Sequence, residues 1–258
     1  MTKTQKEMNI KLAIDFMEEI KIHTAGDSSV LIEFGQEISP EINAKITAFV
    51  HLMKAQHVEG VKDMIPAFTS LLINYDPRVV NYGALKERLE KLLKLEVSKE
   101  TAPSRIFDIP VCYGGEYGPD LENIAMHANL STQEVIDIHS SEDYLIYMLG
   151  FLPGFSYLGG LDERIHTPRL ANPRIKIPAG SVGIGGSQTG IYPLDSPGGW
   201  QLLGLTPVKT YDPNREIPIL FEAGDYIHFV PVTEKDFLEI KEQVNQGTYE
   251  CVIRQKGV

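Results

Sequence analysis

Four cations stand close together in this sequence: Arg164, Arg169, Arg174 and Lys176. Arg169 and Arg174 each follow a proline, Pro168 and Pro173, which stiffens the loop that carries them. A planar guanidinium on a stiff loop suits two-pronged recognition of a carboxylate or phosphate. The alternative use is ion pairing with Asp162, Glu163 or Asp195. Aromatic rings crowd the same stretch: Phe151, Phe155, Tyr157, Tyr192 and the only tryptophan, Trp200. Such rings either pack a core or wall a pocket. Between them runs Gly180-Ser181-Val182-Gly183-Ile184-Gly185-Gly186-Ser187-Gln188-Thr189-Gly190. No Lys-Ser or Lys-Thr completes a phosphate loop there, and the third glycine of a dinucleotide fingerprint is missing. Two readings stay open, turns of a β-structure or an anion nest of backbone N–H groups. Ser181, Gln188 and Thr189 would add side-chain donors and acceptors to the nest. His139, at the end of a capped helix, is the acid–base candidate by residue type, or else a structural histidine.

Other chemistries are disfavoured. The seven histidines form no H-x-x-x-H pair, and Cys112 and Cys251 are far apart with no C-x-x-C spacing. Neither a metal site nor a disulfide framework is therefore expected. Cys112 lies in the apolar run Ile109-Pro110-Val111-Cys112-Tyr113 and reads as a small buried hydrophobe. Lys and Arg number 24 against 35 Asp and Glu, a net charge of −11, which argues against nucleic-acid binding because phosphate contacts need a basic face. No apolar run approaches the ~20 residues of a membrane span, and Met1 to Glu19 lacks the apolar stretch of a signal peptide. A cytoplasmic protein is expected, without membrane or nucleic-acid partners.

The elements that must position these residues divide by texture. Residues 1–21 read as an N-terminal extension, with Leu12, Phe16 and Ile20 at four-residue spacing indicating a short helix or a disordered lead. Residues 22–97 read as a small α+β domain. Ser28 to Phe34 alternates as a strand, and Ser39-Pro40 opens a helix along Ile42, Ile46, Phe49, Val50 and Met53. Val58 to Ile65 and Ala67 to Tyr75 read as strands, Leu85, Leu89 and Leu92 as a second helix, and about 105–111 as a further strand. That order, β-α-β-β-α-β, is ferredoxin-like. A linker is placed at 98–105 and a barrel domain at 106–236. Two short helices, Pro119 to Ala128 and Ser131 to His139, open the barrel domain, the second with a Ser131/Glu134 capping box. Residues 150–207 hold 12 of the 22 glycines and seven of the 16 prolines, a density that breaks helices and favours short strands with tight turns. Ile217 to Phe221 and Asp225 to Pro231 read as closing strands. A helix over Glu234 to Gln246 and a tail fill 237–258.

The run Gly150-Phe151-Leu152-Pro153-Gly154-Phe155-Ser156-Tyr157-Leu158-Gly159-Gly160-Leu161-Asp162 resembles the signature of the family of KipI and the 5-oxoprolinase B subunit, also called allophanate hydrolase subunit 1. Thr167-Pro168-Arg169 with Pro173-Arg174, the segment Pro178 to Gly186, Gln188 to Pro193, and Ser196-Pro197-Gly198-Gly199-Trp200-Gln201-Leu202 match in order. The resemblance covers about 22–236. It implies a small α+β domain followed by a cyclophilin-like β-barrel. It also implies action with subunits A and C of an ATP-dependent 5-oxoprolinase, which opens 5-oxoproline to L-glutamate. ATP with Mg2+ would be bound by the complex, and no covalent cofactor by this chain. Arg169, Arg174 and His139 would then be the catalytic candidates. Phe155, Tyr157, Ser181, Gln188, Thr189, Tyr192 and Trp200 would bind 5-oxoproline or ATP. Where the family commonly has Gly-Arg-Thr-Pro this chain has Gly204-Leu205-Thr206-Pro207, so no cation is expected from that turn. Two other roles occur around the same family: inhibition of a sporulation-type histidine kinase, as for KipI, and membership of a urea carboxylase or allophanate system.

Overall fold

The computed structural model describes residues 20–95 and 104–256 and divides into two units, Met1–Thr101 and Ala102–Val258. The reading of Leu12 and Phe16 as a helix or lead lies outside the described residues, as does most of the linker.

In the first unit, β1 (Lys21–Thr24), β2 (Ser29–Glu33), β3 (Val61–Pro66) and β4 (Ser70–Tyr75) form one antiparallel sheet in the order β1-β2-β4-β3. Helices α1 (Pro40–Ala55) and α2 (Tyr82–Leu93) pack into the same core. Both begin as their sequences dictate. Ser39 Oγ accepts the Ile42 N–H at 3.2 Å ahead of Pro40, and Asn81 Oδ1 accepts the Ala84 N–H at 3.0 Å. Leu85, Leu89 and Leu92 recur at helical spacing and are buried with Ile46, Phe49 and Met53, each burial contributing about 2 kcal/mol.

The ferredoxin-like order does not form. A strand, β1, precedes β2, and the residues expected to complete that motif belong to the second unit as β5 (Arg105–Tyr113). Two causes are visible. β1 is a mostly exposed edge strand with Ile22 its sole aliphatic residue, so alternation could not reveal it. β5 buries Ile106, Phe107, Ile109, Pro110, Val111 and Cys112, more than the open edge of a small sheet can cover.

A barrel covers it. β12 (Gln201–Leu205), β9 (Ser181–Gly185), β10 (Gln188–Ile191), β7 (Ser156–Gly159), β6 (Asp143–Leu149), β13 (Tyr226–Pro231) and β5 follow in order, and β5 pairs back to β12 to close seven strands. The β5–β13 pair is parallel and the others are antiparallel. Arg105, placed in the linker by sequence, starts β5 and grips Asp225 through two hydrogen bonds of 3.0 and 2.6 Å. α3 (Leu121–Ala128) and α4 (Thr132–Ser140) follow β5, α4 with the Ser131/Glu134 capping box in place. A two-stranded ribbon, β8 (Arg174–Ile177) with β11 (Ser196–Gly198), lies outside the barrel strand order. α5 (Glu234–Gln246) leads to β14 (Val252–Gln255), which adds to the first half of β5, so the tail returns as a strand. Ile217 to Phe221 forms no strand beyond a Tyr211–Ile219 bridge. Ile217 is 73% exposed, and Pro218 has no N–H to donate. Both cysteines are free thiols, Cys112 buried. No helix among the described residues is long and apolar enough to cross a membrane.

Candidate functional site

The glycine-rich run folds as the β9–β10 hairpin, turning at Gly186 with φ +71°. Alternation along these strands sorts its side chains. Val182, Ile184 and Ile191 enter the barrel core, which leaves Gly183, Gly185 and Gly190 facing the other way. Trp200 lies on those glycines. A Cβ at Gly185 would collide with the indole nitrogen, and one at Gly190 would sit 3.2 Å from the ring. Against the indole pack Phe155, edge-on at 5.6 Å, and Tyr192 at 6.1 Å, while Tyr157 meets Phe155 at 5.1 Å. These rings, with Ile177 and Leu202, form a cluster separate from the barrel interior. Gln188 is paired with Gly185 and so shares the face on which Trp200 lies. Ser181, four residues before Gly185, is buried about 13 Å along the strand from it.

Arg169 sits above this surface. Its loop is pinned by Leu170 N–H donating to Gly199 O at 2.7 Å, Gly186 N–H to Thr167 O at 2.8 Å, and Gln201 Nε2 to Pro168 O at 3.1 Å. The exposed guanidinium lies over the Trp200 ring with Cζ 5.9 Å from its centre. The other three cations of the cluster are paired: Arg164 with Asp162 at 2.7 Å, Lys176 with Asp195 at 2.7 Å, and Arg174 with Asp120 at 2.7 Å. Among the described residues Arg169 alone of the four has no carboxylate partner. Burial pushes the Tyr192 phenol above its usual range, offset in part by a hydrogen bond with the Trp200 backbone and by the charges of Arg169 and Arg174.

Arg174 is thus ion-paired, and its other amino group donates to Trp200 O at 3.5 Å. Its partner Asp120, which sequence reasoning missed, stands 54 residues earlier at the start of α3. Instead of capping that helix, Asp120 accepts the Leu202 N–H at 2.7 Å on its second oxygen. The pair therefore ties α3, β8 and β12 together.

His139 and Thr189 meet inside the barrel, away from Trp200. Thr189 Oγ1 donates to Gly183 O at 3.2 Å and so accepts from His139 Nε2 at 2.8 Å, while the Tyr113 hydroxyl donates to Nδ1 at 2.8 Å. The imidazole stacks on Phe229 at 4.6 Å. Fully buried, it is held neutral with its pKa lowered to about 3.

Phe151, the first of the rings crowded into this stretch, sits at φ +63° and is 65% exposed, a backbone state that costs a bulky residue about 1–3 kcal/mol. Its ring meets Phe155 edge-on at 5.6 Å. No group of three or more His, Cys, Asp or Glu side chains converges among the described residues.

Residues 20–221 match the family model for the carboxyltransferase domain, subdomain C and D. The B subunit of 5-oxoprolinase from Bacillus subtilis (strain 168) is 45% identical over 235 residues, 87% of this chain and 98% of that protein. The chain belongs to the 5-oxoprolinase B-subunit family. A further member, from Escherichia coli O157:H7, is 41% identical over 220 residues, 84% of this chain and 99% of that protein. The crystal structure of TTHA0988 superimposes with a TM-score of 0.71 at 37% identity, over 79% of this chain and 40% of that longer one.

For this family member the two arginines should separate cleanly. Arg174→Ala strands the buried Asp120 carboxylate and should cost about 3 kcal/mol, whereas Arg169→Ala, at an exposed position, should change stability by less than about 0.5 kcal/mol. Urea melts of both variants check this, and equal losses would contradict it. His139 predicts an acid sensitivity. Its pKa is about 3 folded and about 6.5 unfolded, so below pH 6.5 the unfolded chain binds a proton that the folded chain does not. Its contribution is full above about pH 6.5 and is lost as pH falls toward 3, by at most about 1.4 kcal/mol per pH unit. His139→Gln should flatten that decline in melts between pH 7 and 4.5, and an unchanged slope would place the sensitivity elsewhere.

Proposed function

We propose that this chain is the B subunit of an ATP-dependent 5-oxoprolinase, acting with subunits A and C to open 5-oxoproline to L-glutamate. The observation that carries the reading is the unpaired Arg169 guanidinium held over Trp200 in a member of this family. 5-Oxoproline offers one carboxylate on a compact lactam ring, which suits a single exposed cation backed by a buried indole. Arg169 holds the carboxylate, Trp200 supports the guanidinium from below, and Phe155, Tyr192 and Tyr157 fix the indole. Gln188 lies on the same face as a further hydrogen-bonding side chain. Arg174 and His139 act by position, the first through Asp120 and the second through Tyr113 and Thr189.

The lactam is a resonance-stabilised amide and a poor electrophile. Transfer of the γ-phosphoryl group of ATP to its carbonyl oxygen would release ADP; water would add to the ring carbon, the adduct would expel the ring amine as the C–N bond breaks to leave γ-glutamyl phosphate, and a second water would release phosphate and L-glutamate. A triphosphate with Mg2+ needs several cations and convergent carboxylates. Among the described residues the face around Trp200 has one unpaired cation, Arg169, beside an Arg174 already taken by Asp120, and no three acidic, histidine or cysteine side chains converge, so we assign ATP and Mg2+ to the complex and derive no step through them on this chain.

The test is ADP and glutamate release from 5-oxoproline by the reconstituted A, B and C subunits. Omitting this chain should abolish release, and Arg169→Ala should lower kcat/KM at least 100-fold, with Arg169→Lys recovering part. Full activity without this chain, or with Arg169→Ala, would overturn the reading and make histidine-kinase inhibition the next assay.

A further inference from the structure

Phe151 combines three features that structural need alone does not explain. Its backbone lies in the left-handed region, where glycine is the favoured residue. Its ring is largely in water, so burial does not offset the strained backbone. The turn that carries it cannot relax easily. Gly150 N–H donates to Phe155 O at 3.1 Å and Phe155 N–H to Leu152 O at 3.0 Å. On its far side a Cβ at Gly154 would already stand 3.0 Å from Tyr211 Cβ. The ring that Phe151 meets is Phe155, which itself lies edge-on against Trp200 beneath Arg169. A bulky apolar ring held at a strained position, and joined through Phe155 and Trp200 to an unpaired cation, marks a site where the strain serves binding.

We infer that Phe151 is a specificity-determining residue whose exposed ring covers the methylene edge of the lactam while Arg169 holds its carboxylate. The inference rests on the reading of the Arg169–Trp200 face given above. It accounts for recognition of a ring that is charged at one point and apolar along two adjacent carbons: a cation alone would accept any small carboxylate, and the aromatic cover selects the compact cyclic one.

The experiment compares Phe151→Gly and Phe151→Tyr in the reconstituted three-subunit complex, with thermal melting of the isolated full chain. Glycine relieves the backbone, so Phe151→Gly should melt at or above the wild-type temperature while KM for 5-oxoproline rises at least tenfold and kcat changes less than threefold. Phe151→Tyr should stay within threefold of wild type throughout. If Phe151→Gly melts lower, Phe151→Leu, which keeps an apolar side chain without the ring, decides by the same KM comparison. An unchanged KM in a complex that opens 5-oxoproline overturns the inference and leaves the functional reading standing. So does an unchanged KM with weakened assembly, which would make Phe151 a subunit contact. A wild-type complex that opens no lactam instead overturns the functional reading itself.

Discussion

An indole can lie flat on a β-sheet only where the strands beneath it carry no side chains. Gly183, Gly185 and Gly190 provide that bare strip on the wall of the barrel, and Trp200 fills it. The remaining parts of the site follow from this one contact. Phe155 and Tyr192 stand edge-on against the ring, the Gly199 carbonyl next to Trp200 anchors the loop at Leu170, and the indole face receives the Arg169 guanidinium. The glycines thus act through what they omit. The same strands turn Thr189 and Ile184 inward, so one hairpin serves the core on one face and the site on the other.

Charge is divided on the same principle. Three of four neighbouring cations are matched by carboxylates, two at the surface and one in the interior. The interior pair is the costly one to disturb, because a desolvated carboxylate at Asp120 has no alternative to Arg174 and the Leu202 N–H. With its neighbours matched, Arg169 is the one of the four without a carboxylate partner among the described residues. His139 completes the contrast: a histidine in a barrel core is kept neutral because burial disfavours its charged form and both ring nitrogens are already in hydrogen bonds.

Periodicity makes much of the fold legible. The helices at Pro40, Tyr82 and Glu234 announce themselves by caps and spacing, and the glycine and proline density of 150–207 correctly excludes long helices there. Edge strands do not announce themselves. β1 has one aliphatic residue and β14 is exposed throughout, so neither alternates, and β5 reads as part of the wrong sheet because a buried strand does not say which neighbours bury it. At the site, the aromatic rings and Arg169 are readable from type and spacing. The partner of Arg174 is not, since Asp120 is 54 residues distant and at a helix start, where a cap is the expected use. Nor can spacing tell which of Gln188 and Thr189, neighbours on opposite faces of one strand, turns inward. That distinction needs the register with Gly185 and Ile184.

The central claim is that Arg169 is an open carboxylate receptor above Trp200, and the chain carries its own reporter, since Trp200 is its only tryptophan. Titrating the full chain with 5-oxoproline, and with its uncharged carboxamide, while following tryptophan emission tests the claim directly. The account predicts a saturable change with 5-oxoproline, none with the carboxamide, and loss of the response in Arg169→Met. Equal responses to both compounds, or an Arg169→Met chain that responds like wild type, would contradict it.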